Sequence, residues 1–260
     1  MMSAESVSKY PDSNKKFGQP LSDSHSNNVG MMFDRIAPTY NLVNHILSFG
    51  QDFSWRRKVT VAVDKKHDLR VLDMATGTGD LLISMLRRNS NITEAVGLDI
   101  SENMLALCRQ RIAKLKFAKN VRLVLADATT TGFANESFDV VTMGFGIRNT
   151  PDVFKTISEI YRLLKYGGTT LILEFSVPTN RILKKCHLFY LRCFVPLLGY
   201  LLSRDKKAYH YLNTSIENFY DTNTFCSLMR KSGFSNVNAT PLTFGVACMY
   251  KGMKLNEPKM

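Results

Sequence analysis

The residues from Arg70 to Asp99 constrain this chain most, because an apolar run breaks there into a glycine-rich turn and a second apolar run ends in a carboxylate. Gly77 and Gly79 directly follow the first run, and apolar residues at helical spacing come next. This order predicts a strand, a tight turn and a helix. Glycine has no Cβ and accepts positive φ, so a ligand can approach the backbone of such a turn closely.

The spacing of the turn restricts the ligand. A dinucleotide-binding turn reads Gly-x-Gly-x-x-Gly, but Leu82 stands where the third glycine would be, and the chain has no phosphate-binding Gly-x-x-x-x-Gly-Lys-Ser/Thr loop. Asp99 ends the second run about twenty residues later, where a nucleoside-binding fold needs an acceptor for ribose hydroxyls. The pattern therefore favours S-adenosylmethionine over a structural turn without ligand. The order of Asp73, Gly77, Gly79 and Asp99 resembles motifs I and II of the class I methyltransferases.

Composition and charge limit the class of protein and its partners. At 260 residues, the chain has the length of one large domain. Its net charge of +12 favours an anionic partner, either nucleic acid or an anionic membrane surface, although a basic soluble surface is equally consistent. The five cysteines are scattered without a Cys-x-x-Cys pair, which fits a reducing cytoplasm and predicts no metal site. The N-terminus carries neither a signal-peptide core nor an arginine-rich transit pattern.

Apolar periodicity divides the chain into six parts. Residues 1–28 form a polar, serine-rich tail that we expect to be disordered, and 255–260 form a second tail. Residues 29–66 predict two helices that break near Gly50, and 67–178 alternate strands and helices in the doubly wound α/β manner. The remaining parts are a helical insertion at 179–222 and a closing helix with strands at 223–254.

The predicted strands bring several polar residues to one edge, because ligands of a doubly wound sheet bind at the carboxyl ends of its strands. The residues at those ends are Asp73, Asp99, Asp127 with Ala128, Gly144 and Glu174. Asp99 would accept from both ribose hydroxyls, and Asp127 could accept from the adenine amino group. Each acid could instead cap a helix or a turn.

The sequence also predicts the limits of two strands and one helix, and it contains one cluster of basic residues beside a tryptophan. We expect the fourth strand from Phe138 to about Met143, a helix over 153–164 stopped by residues 165–168, and a final strand around 242–249. Trp55 and the bases that follow it at 56–58 form an amphipathic cluster typical of interfaces or of a solvated helix face.

The insertion at 179–222 is dense in aromatic residues and leucines, with basic residues between them. Its apolar part, 187–202, is too short to span a bilayer and is interrupted by Arg192, Pro196 and Gly199. Helices that lie over the site are the better interpretation. They suggest a lipidic substrate and contact with a membrane surface, or a lid that merely completes the core.

Several longer motifs carry a resemblance that is closer than fold level. They are FDRIAPTYNLVN, SFGQDFSWRR, VLDMATGTGD, GFGIRN, LEFSVP and LTFGVACMYKG. With them, residues 29–254 resemble the ubiquinone/menaquinone biosynthesis C-methyltransferases, the UbiE and COQ5 family. The resemblance implies a class I S-adenosylmethionine-dependent fold with a Rossmann-like seven-stranded sheet. It also implies methylation of a ring carbon of a polyprenylated quinol, on the menaquinone pathway, the ubiquinone pathway or both.

The resemblance also transfers cofactor positions, which fall on Thr78, Asp99, Asp127 and Ala128. A further family position, often serine, is Gly144 here, so only a backbone contact could survive. The glycine loop reads TGTGD where many relatives have GGTGD, which places the Cβ of Thr76 at its entrance.

The chemistry of ring methylation suggests the catalytic residues. A quinol carbon becomes nucleophilic when the neighbouring hydroxyl ionises, and a cation or donor beside that oxygen favours the phenolate. Arg148 and Asn149, just past the fourth strand, are the candidates for holding that oxygen, and Tyr40 and Asp52 are candidates for orienting the ring or relaying a proton. Arg148 could alternatively pair with a carboxylate to fix its loop.

Two other functions remain open at this point. An RNA or protein methyltransferase would suit the basic charge, but the Asn/Asp-Pro-Pro-Tyr/Phe element of amine-methylating enzymes and a Pro-Cys nucleophile are both absent. A non-catalytic lipid-binding relative is disfavoured by the intact glycine loop. The sequence thus predicts a cytoplasmic protein at the inner face of the membrane, without a nucleic-acid partner and able to form a homo-oligomer or join a quinone-biosynthesis complex.

Overall fold

A mixed β-sheet forms the centre of the protein, in a computed structural model that describes residues 23–115, 120–203 and 205–255. Within these residues, seven strands form one sheet in the order β3-β2-β1-β4-β5-β7-β6. The strands are β1 (Leu69–Met74), β2 (Ile92–Asp99), β3 (Val121–Leu125), β4 (Phe138–Gly144), β5 (Leu164–Phe175), β6 (Ser235–Leu242) and β7 (Ala247–Met253). All neighbours pair in parallel except β7, which runs antiparallel to both β5 and β6. The predicted class I methyltransferase fold is confirmed.

Nine α-helices surround this sheet in the part of the chain that the structure describes. They are α1 (Asp23–Leu47), α2 (Gln51–Val61), α3 (Asp80–Arg88), α4 (Glu102–Ala113), α5 (Val153–Leu163), α6 (Arg181–Phe189), α7 (Val195–Ser203), α8 (Lys206–Glu217) and α9 (Thr222–Lys231). A π-helical turn, Tyr190–Phe194, joins α6 to α7. The expected N-terminal helix pair and the helical insertion before the last two strands are both present.

The expected N-terminal tail differs in extent from the structure. Helix α1 begins at Asp23, so residues 23–28 belong to a helix, while 1–22 lie outside the described residues. The expected C-terminal tail falls on residues 256–260, which also lie outside them, and on Leu255.

Burial and capping explain the central elements. Strands β1 and β4 are nearly all buried, since parallel strands covered by helices on both faces need apolar side chains on both sides. Ser101 caps α4 as expected, because its side chain accepts a hydrogen bond from the Met104 N–H. Asp152 and Asp221 cap α5 and α9 in the same way.

Two predicted boundaries are wrong because of pairing between distant strands. Residues 165–168 do not stop a helix: α5 ends at Leu163, and those residues already belong to β5. The Gly167 N–H donates to the Lys254 carbonyl at 2.7 Å, and the Lys254 N–H donates to the Gly168 carbonyl at 3.0 Å. This long-range pairing makes residues 165–168 part of β5, although Gly167 has a positive φ of 77°, and local helix-stop signals cannot reveal such pairing.

The expected final strand at 242–249 is divided. Leu242 ends β6, and β7 starts only at Ala247. Between them, Thr243 and Phe244 adopt left-handed backbone conformations, with φ of 44° and 57°. This reversal turns the chain into an antiparallel pair.

The insertion covers the edge of the sheet where the parallel strands end. Helix α1 packs against α7 of the insertion and against α4 of the core. The Tyr190 hydroxyl of the π turn donates to the Leu47 carbonyl at 2.8 Å, which ties the insertion to the end of α1. Among the described helices, none is both long and apolar enough to cross a bilayer.

Candidate active site

A cleft of about 660 Å³, open at its mouth, lies at the carboxyl ends of β1, β2 and β4. It brings together the following predicted cofactor residues: Gly77, Asp99, Asp127, Ala128 and Gly144. Tyr40 and Asn149 also line the cleft. Strand ends that are far apart in the chain therefore converge as the doubly wound topology requires.

Asp99 is held at the wall of the cleft by two backbone donors. The Gly77 N–H donates to its Oδ2 at 2.7 Å, and the Ser101 N–H donates to its Oδ1 at 3.0 Å. Burial raises the pKa of this carboxyl above its usual value, against the lowering effect of these hydrogen bonds. Each oxygen keeps further acceptor capacity, so the carboxylate is placed to accept from a pair of vicinal hydroxyls.

The two glycines of the turn have different roles. Gly77 has φ of 55°, and a Cβ added there would meet nothing within 4 Å, so its open side faces the cleft. Gly79 has φ of 86°, and a Cβ there would lie 2.5 Å from the Cys108 Sγ. The first glycine leaves room for a ligand, whereas the second allows α3 and α4 to pack closely.

Three predicted cofactor residues, Asp73, Thr78 and Gly79, do not line the cleft. Asp73 is buried beneath the turn and accepts hydrogen bonds from Thr76 at 2.7 Å and Thr142 at 2.6 Å. Burial raises its pKa to about 6. The Thr78 hydroxyl donates to Asn41 Oδ1 at 2.7 Å. These residues shape the turn from behind, and direct cofactor contact by them stays a prediction.

Asp127 and Ala128 follow β3, and Gly144 ends β4, so they lie on either side of Asp99 in the strand order. The Thr129 N–H and hydroxyl both donate to Asp127 Oδ1 at 2.7 Å, which fixes that carboxylate at the start of its loop. A Cβ on Gly144 would lie 3.2 Å from Leu81 Cδ2. A serine there would need Leu81 to shift, so the glycine matches the packing of this chain.

An inner cavity of about 580 Å³ adjoins the cleft and shares Phe33, Tyr40, Phe145 and Asn149 with it. All four predicted catalytic residues line it: Tyr40, Asp52, Arg148 and Asn149. The structure thus brings them together from α1, α2 and the turn after β4. A planar molecule in the inner cavity would lie next to whatever occupies the cleft.

Arg148 is held by a buried ion pair. Its Nη1 lies 2.6 Å from Glu174 Oε1, with side-chain exposures of 5% and 0%, and it also donates to the Phe145 carbonyl at 2.6 Å. Glu174, expected at a strand end, therefore anchors this arginine. The predicted alternative role for Arg148, pairing with a carboxylate, is realised.

Two polar atoms of this region nevertheless lack partners. Arg148 Nε and Asn149 Oδ1 are buried and have no hydrogen-bond partner among the described residues. Buried polar groups are almost always hydrogen-bonded, so an unpaired donor and acceptor on adjacent residues of one cavity need an explanation. Together they complement a hydroxyl group, which both accepts and donates.

Asp52 is the centre of a hydrogen-bonded network on another wall. It pairs with Arg56, accepts from the Ser48 hydroxyl at 2.7 Å, and has His45 Nδ1 2.6 Å from its Oδ2. Burial opposes ionisation, but Arg56 and Ser48 together lower the pKa of Asp52. Asp52 is therefore an anion in the folded protein.

His45, Asp52 and Asp80 have a spacing that could hold a metal ion. Arg56, however, pairs with both carboxylates, and Arg111 lies 2.7 Å from Asp80. Guanidinium groups thus already supply positive charge to these acids.

Tyr40 lies where the cleft and the inner cavity meet. Burial raises the pKa of its hydroxyl, although Arg148 and Arg56 act in the opposite direction. The hydroxyl therefore stays protonated and can donate a hydrogen bond.

An outer cavity of about 1040 Å³ continues from the inner one, with Asn44, Ser48, Phe175 and Leu212 common to both. Most of its wall is apolar, and α1, α6, the π turn and α8 contribute to it. The three spaces form a series from the strand ends to the insertion.

The sequence analysis did not identify two residues of the inner cavity, and it did not predict the burial of a third residue, Trp55. Arg56 and Tyr211 line the inner cavity, and the ring of Phe145 packs on that of Phe175 with centroids 4.5 Å apart. Trp55 is buried and donates to Thr243 Oγ1 at 2.8 Å, so it is not part of an exposed amphipathic cluster. Arg57 and Lys58 are exposed, which fits the predicted alternative of a solvated helix face. The four-residue spacing of Asp52 and Arg56 on one helix was the available signal.

Comparison with known proteins gives consistent matches. Residues 21–254 match the model of the ubiE/COQ5 methyltransferase family. A demethylmenaquinone methyltransferase from Bacteroides fragilis is 36% identical over 250 residues, covering 96% of this chain and 98% of that protein. A ubiquinone/menaquinone biosynthesis C-methyltransferase from Geobacter sulfurreducens is 40% identical over 223 residues, covering 86% and 87%. The structure of an S-adenosylmethionine-dependent methyltransferase from Thermotoga maritima shares the fold, with a TM-score of 0.59, 20% identity and coverages of 87% and 99%.

Proposed function

Because the chain belongs to the ubiE/COQ5 methyltransferase family, we propose that it methylates a ring carbon of a polyprenylated quinol. The chain is an S-adenosylmethionine-dependent methyltransferase. The proposed acceptor is demethylmenaquinol, the equivalent intermediate of the ubiquinone pathway, or both. Residues 29–254 act as one catalytic domain in this proposal, since α1 packs on the core and on the insertion at once.

The residues of the cleft fit the cofactor. Asp99 offers a carboxylate to two hydroxyls, Gly77 leaves its backbone accessible, and Asp127 and Ala128 lie where a base can be recognised. S-adenosylmethionine supplies the methyl group when bound. The glycine turn contributes no Lys or Arg for phosphates, in agreement with a cofactor that has none.

The unpaired atoms of Arg148 and Asn149 are the observation that carries the proposal for the acceptor. A quinol hydroxyl can accept from Arg148 Nε–H and donate to Asn149 Oδ1, which satisfies both buried groups. When that hydroxyl ionises, the guanidinium stabilises the oxygen anion at a site from which water is largely excluded. The negative charge makes the adjacent ring carbon nucleophilic.

The remaining catalytic candidates orient the ring. The protonated Tyr40 hydroxyl donates from the border with the cleft, and the aromatic rings of Phe145 and Phe175 flank the inner cavity. The carbon–methyl bond would form as the sulfonium–methyl bond breaks, with the electron pair left on sulfur. The methylated ring carbon would then lose its hydrogen as a proton, and the quinol oxygen would take back the proton that it lost on ionising, so that one proton leaves in total. Asp52 and His45 provide acceptors through which that proton can leave, because Asp52 lines the cavity and His45 is partly exposed.

The outer cavity is proposed to hold the prenyl tail. Each buried CH₂ contributes about 0.8 kcal/mol to the free energy of binding, so an apolar wall of this kind would strongly favour a tail of several isoprene units. A substrate of that type is stored in lipid, and the protein would therefore act as a peripheral protein at the inner face of the membrane. Homo-oligomers or a larger quinone-biosynthesis complex stay a prediction, which measurement of the particle mass tests.

The decisive experiment is complementation. The chain is expressed in bacteria that lack their own quinone C-methyltransferase, and their quinones are separated by mass spectrometry. Methylated menaquinone or ubiquinone is the expected product, and its identity shows which ring is accepted. A folded, cofactor-binding protein that leaves only demethylated precursors would contradict the proposal.

A further inference from the structure

Helix α6, the π turn and α7 form one uninterrupted helical run, 181–203, with an unusual outward face. Five large apolar residues on it are between 46% and 73% exposed: Ile182, Phe189, Phe194, Leu197 and Leu201. We call these five residues the outer stripe. The five-residue step from Phe189 to Phe194 crosses the π turn, and their rings lie 5.9 Å apart, so the stripe continues along one side.

Two further phenylalanines extend this apolar surface at the mouth of the outer cavity. Phe49 and Phe244 are 77% and 82% exposed, and both line the cavity together with Leu183. The ring of Phe49 lies 5.7 Å from that of Tyr190, which stacks on Phe194 at 6.0 Å. The mouth of the cavity is thus continuous with the outer stripe.

The backbone at both phenylalanines is strained in the same way. Phe49 has φ of 51° and Phe244 has φ of 57°, in the left-handed region that favours glycine or asparagine. Neither burial nor backbone preference accounts for an aromatic residue there. Strain of this kind on exposed apolar side chains points to a function for the side chains themselves.

Basic residues flank the stripe on α6. Arg181, Lys184 and Lys185 are exposed, and none of them has an ion-pair partner within the described residues. They lie in the first half of the helix, where the helix dipole disfavours cations. Helix stability therefore does not explain them, whereas an anionic surface beside the stripe would.

We propose that the outer stripe, with Phe49 and Phe244, is the face that docks on an anionic lipid bilayer. The apolar side chains enter the boundary between headgroups and acyl chains, and the three bases of α6 contact lipid phosphates. The mouth of the outer cavity then opens into the lipid. The inference rests on the proposed function only for the identity of the molecule that enters; the docking itself is tested separately.

The test compares binding of the full chain to phosphatidylcholine vesicles with and without anionic phosphatidylglycerol, by co-sedimentation. The triple variant Phe189→Gln, Leu197→Gln, Leu201→Gln is expected to bind at least about tenfold more weakly. Its methylation of a short-tailed quinol in solution is expected to equal that of the unmodified chain, since none of the three residues lines the cleft or the two cavities. Phe154→Gln on α5, where Phe154 is 44% exposed, is the matched control and should bind normally.

Two more variants separate the contributions. Phe49→Asn with Phe244→Asn should weaken vesicle binding but keep or raise the melting temperature, because asparagine suits a left-handed backbone. Replacing Arg181, Lys184 and Lys185 with glutamine should remove the preference for anionic vesicles.

Other outcomes would overturn the inference. One is an unmodified chain that does not bind the anionic vesicles. Another is a dimer in solution that the triple variant converts to monomers while vesicle binding is unaffected, because the stripe would then cover a second copy of this chain. If vesicle binding behaves as expected but no quinol is methylated, the docking face stands and the proposed acceptor fails.

Discussion

Arg148 and Glu174 form an ion pair of 2.6 Å in a fully buried position, and this pair positions the turn after β4 against the end of β5. The Arg148 N–H also donates to Glu174 Oε2 at 3.3 Å. The same arginine lines the inner cavity, so the stability of this turn and the chemistry of the cavity depend on one side chain.

Replacement of Glu174 should lower the free energy of unfolding. Glu174→Ala leaves a buried guanidinium without its anion, and we expect a loss of about 3–5 kcal/mol in the free energy of unfolding. The double variant Arg148→Met, Glu174→Ala should lose less than the sum of the single variants. Urea denaturation of all four proteins measures this coupling, and strictly additive losses would show that the pair does not act as a unit.

Arg148→Lys tests the unpaired Nε. Lysine keeps the charge near Glu174 but has no N–H at the position of Nε. The hydroxyl oxygen of the quinol therefore loses its hydrogen-bond donor. We expect turnover to fall by about 10²-fold or more, with an unchanged dissociation constant for S-adenosylmethionine. Arg57→Lys, on the exposed side of α2, is the control. Normal turnover in Arg148→Lys would remove the guanidinium from the mechanism.

Asp99→Ala tests the wall of the cleft. Two hydrogen bonds to hydroxyls should be lost, and with them about 2–4 kcal/mol of cofactor binding, since bonds to charged groups are the stronger ones. Calorimetric titration with S-adenosylmethionine measures the change, and circular dichroism checks the fold. Glu102→Ala, at an exposed position of α4, should bind normally. Equal affinity in both variants would refute the role assigned to Asp99.

Asp73 should make stability depend on pH. Its pKa is about 6 in the folded protein and 3.8 ordinarily, so between these values the folded state retains a proton that the unfolded state has lost. The stabilisation is therefore complete below pH 3.8 and disappears as the pH rises to about 6, a change of about 3 kcal/mol. Asp73→Asn should flatten this part of the curve of unfolding free energy against pH. An unaltered slope would assign the dependence to other groups.

Much of the cofactor cleft could be predicted from local signals. The glycine turn, the carboxylate of Asp99 and the cap at Ser101 are set by backbone conformation and by hydrogen bonds between residues close in the chain. The doubly wound order of strands then brings Asp127 and Gly144 to the same edge. Resemblance to a known family supplied the acceptor, and the chemistry of methylating that acceptor suggested the catalytic candidates.

Contacts between distant residues could not be predicted in this way. Glu174 lies 26 residues after Arg148, and Trp55 contacts Thr243, which is 188 residues away in the chain. No local sequence pattern therefore predicts either contact. The division of β6 from β7 and the inclusion of 165–168 in β5 depend on the same kind of pairing.

The sequence by itself determined the sheet, the glycine turn and the class of cofactor, because these follow from periodicity, from the absence of a Cβ and from the order of the strands. Only the tertiary structure decided which charges are paired, which polar atoms remain unpaired beside the inner cavity, and that Phe49 and Phe244 both line the outer cavity. The physical reason is that burial, hydrogen bonds and ion pairs between distant residues exist only in the packed chain. Side chains from distant elements become buried and paired only when the insertion packs over the strand ends.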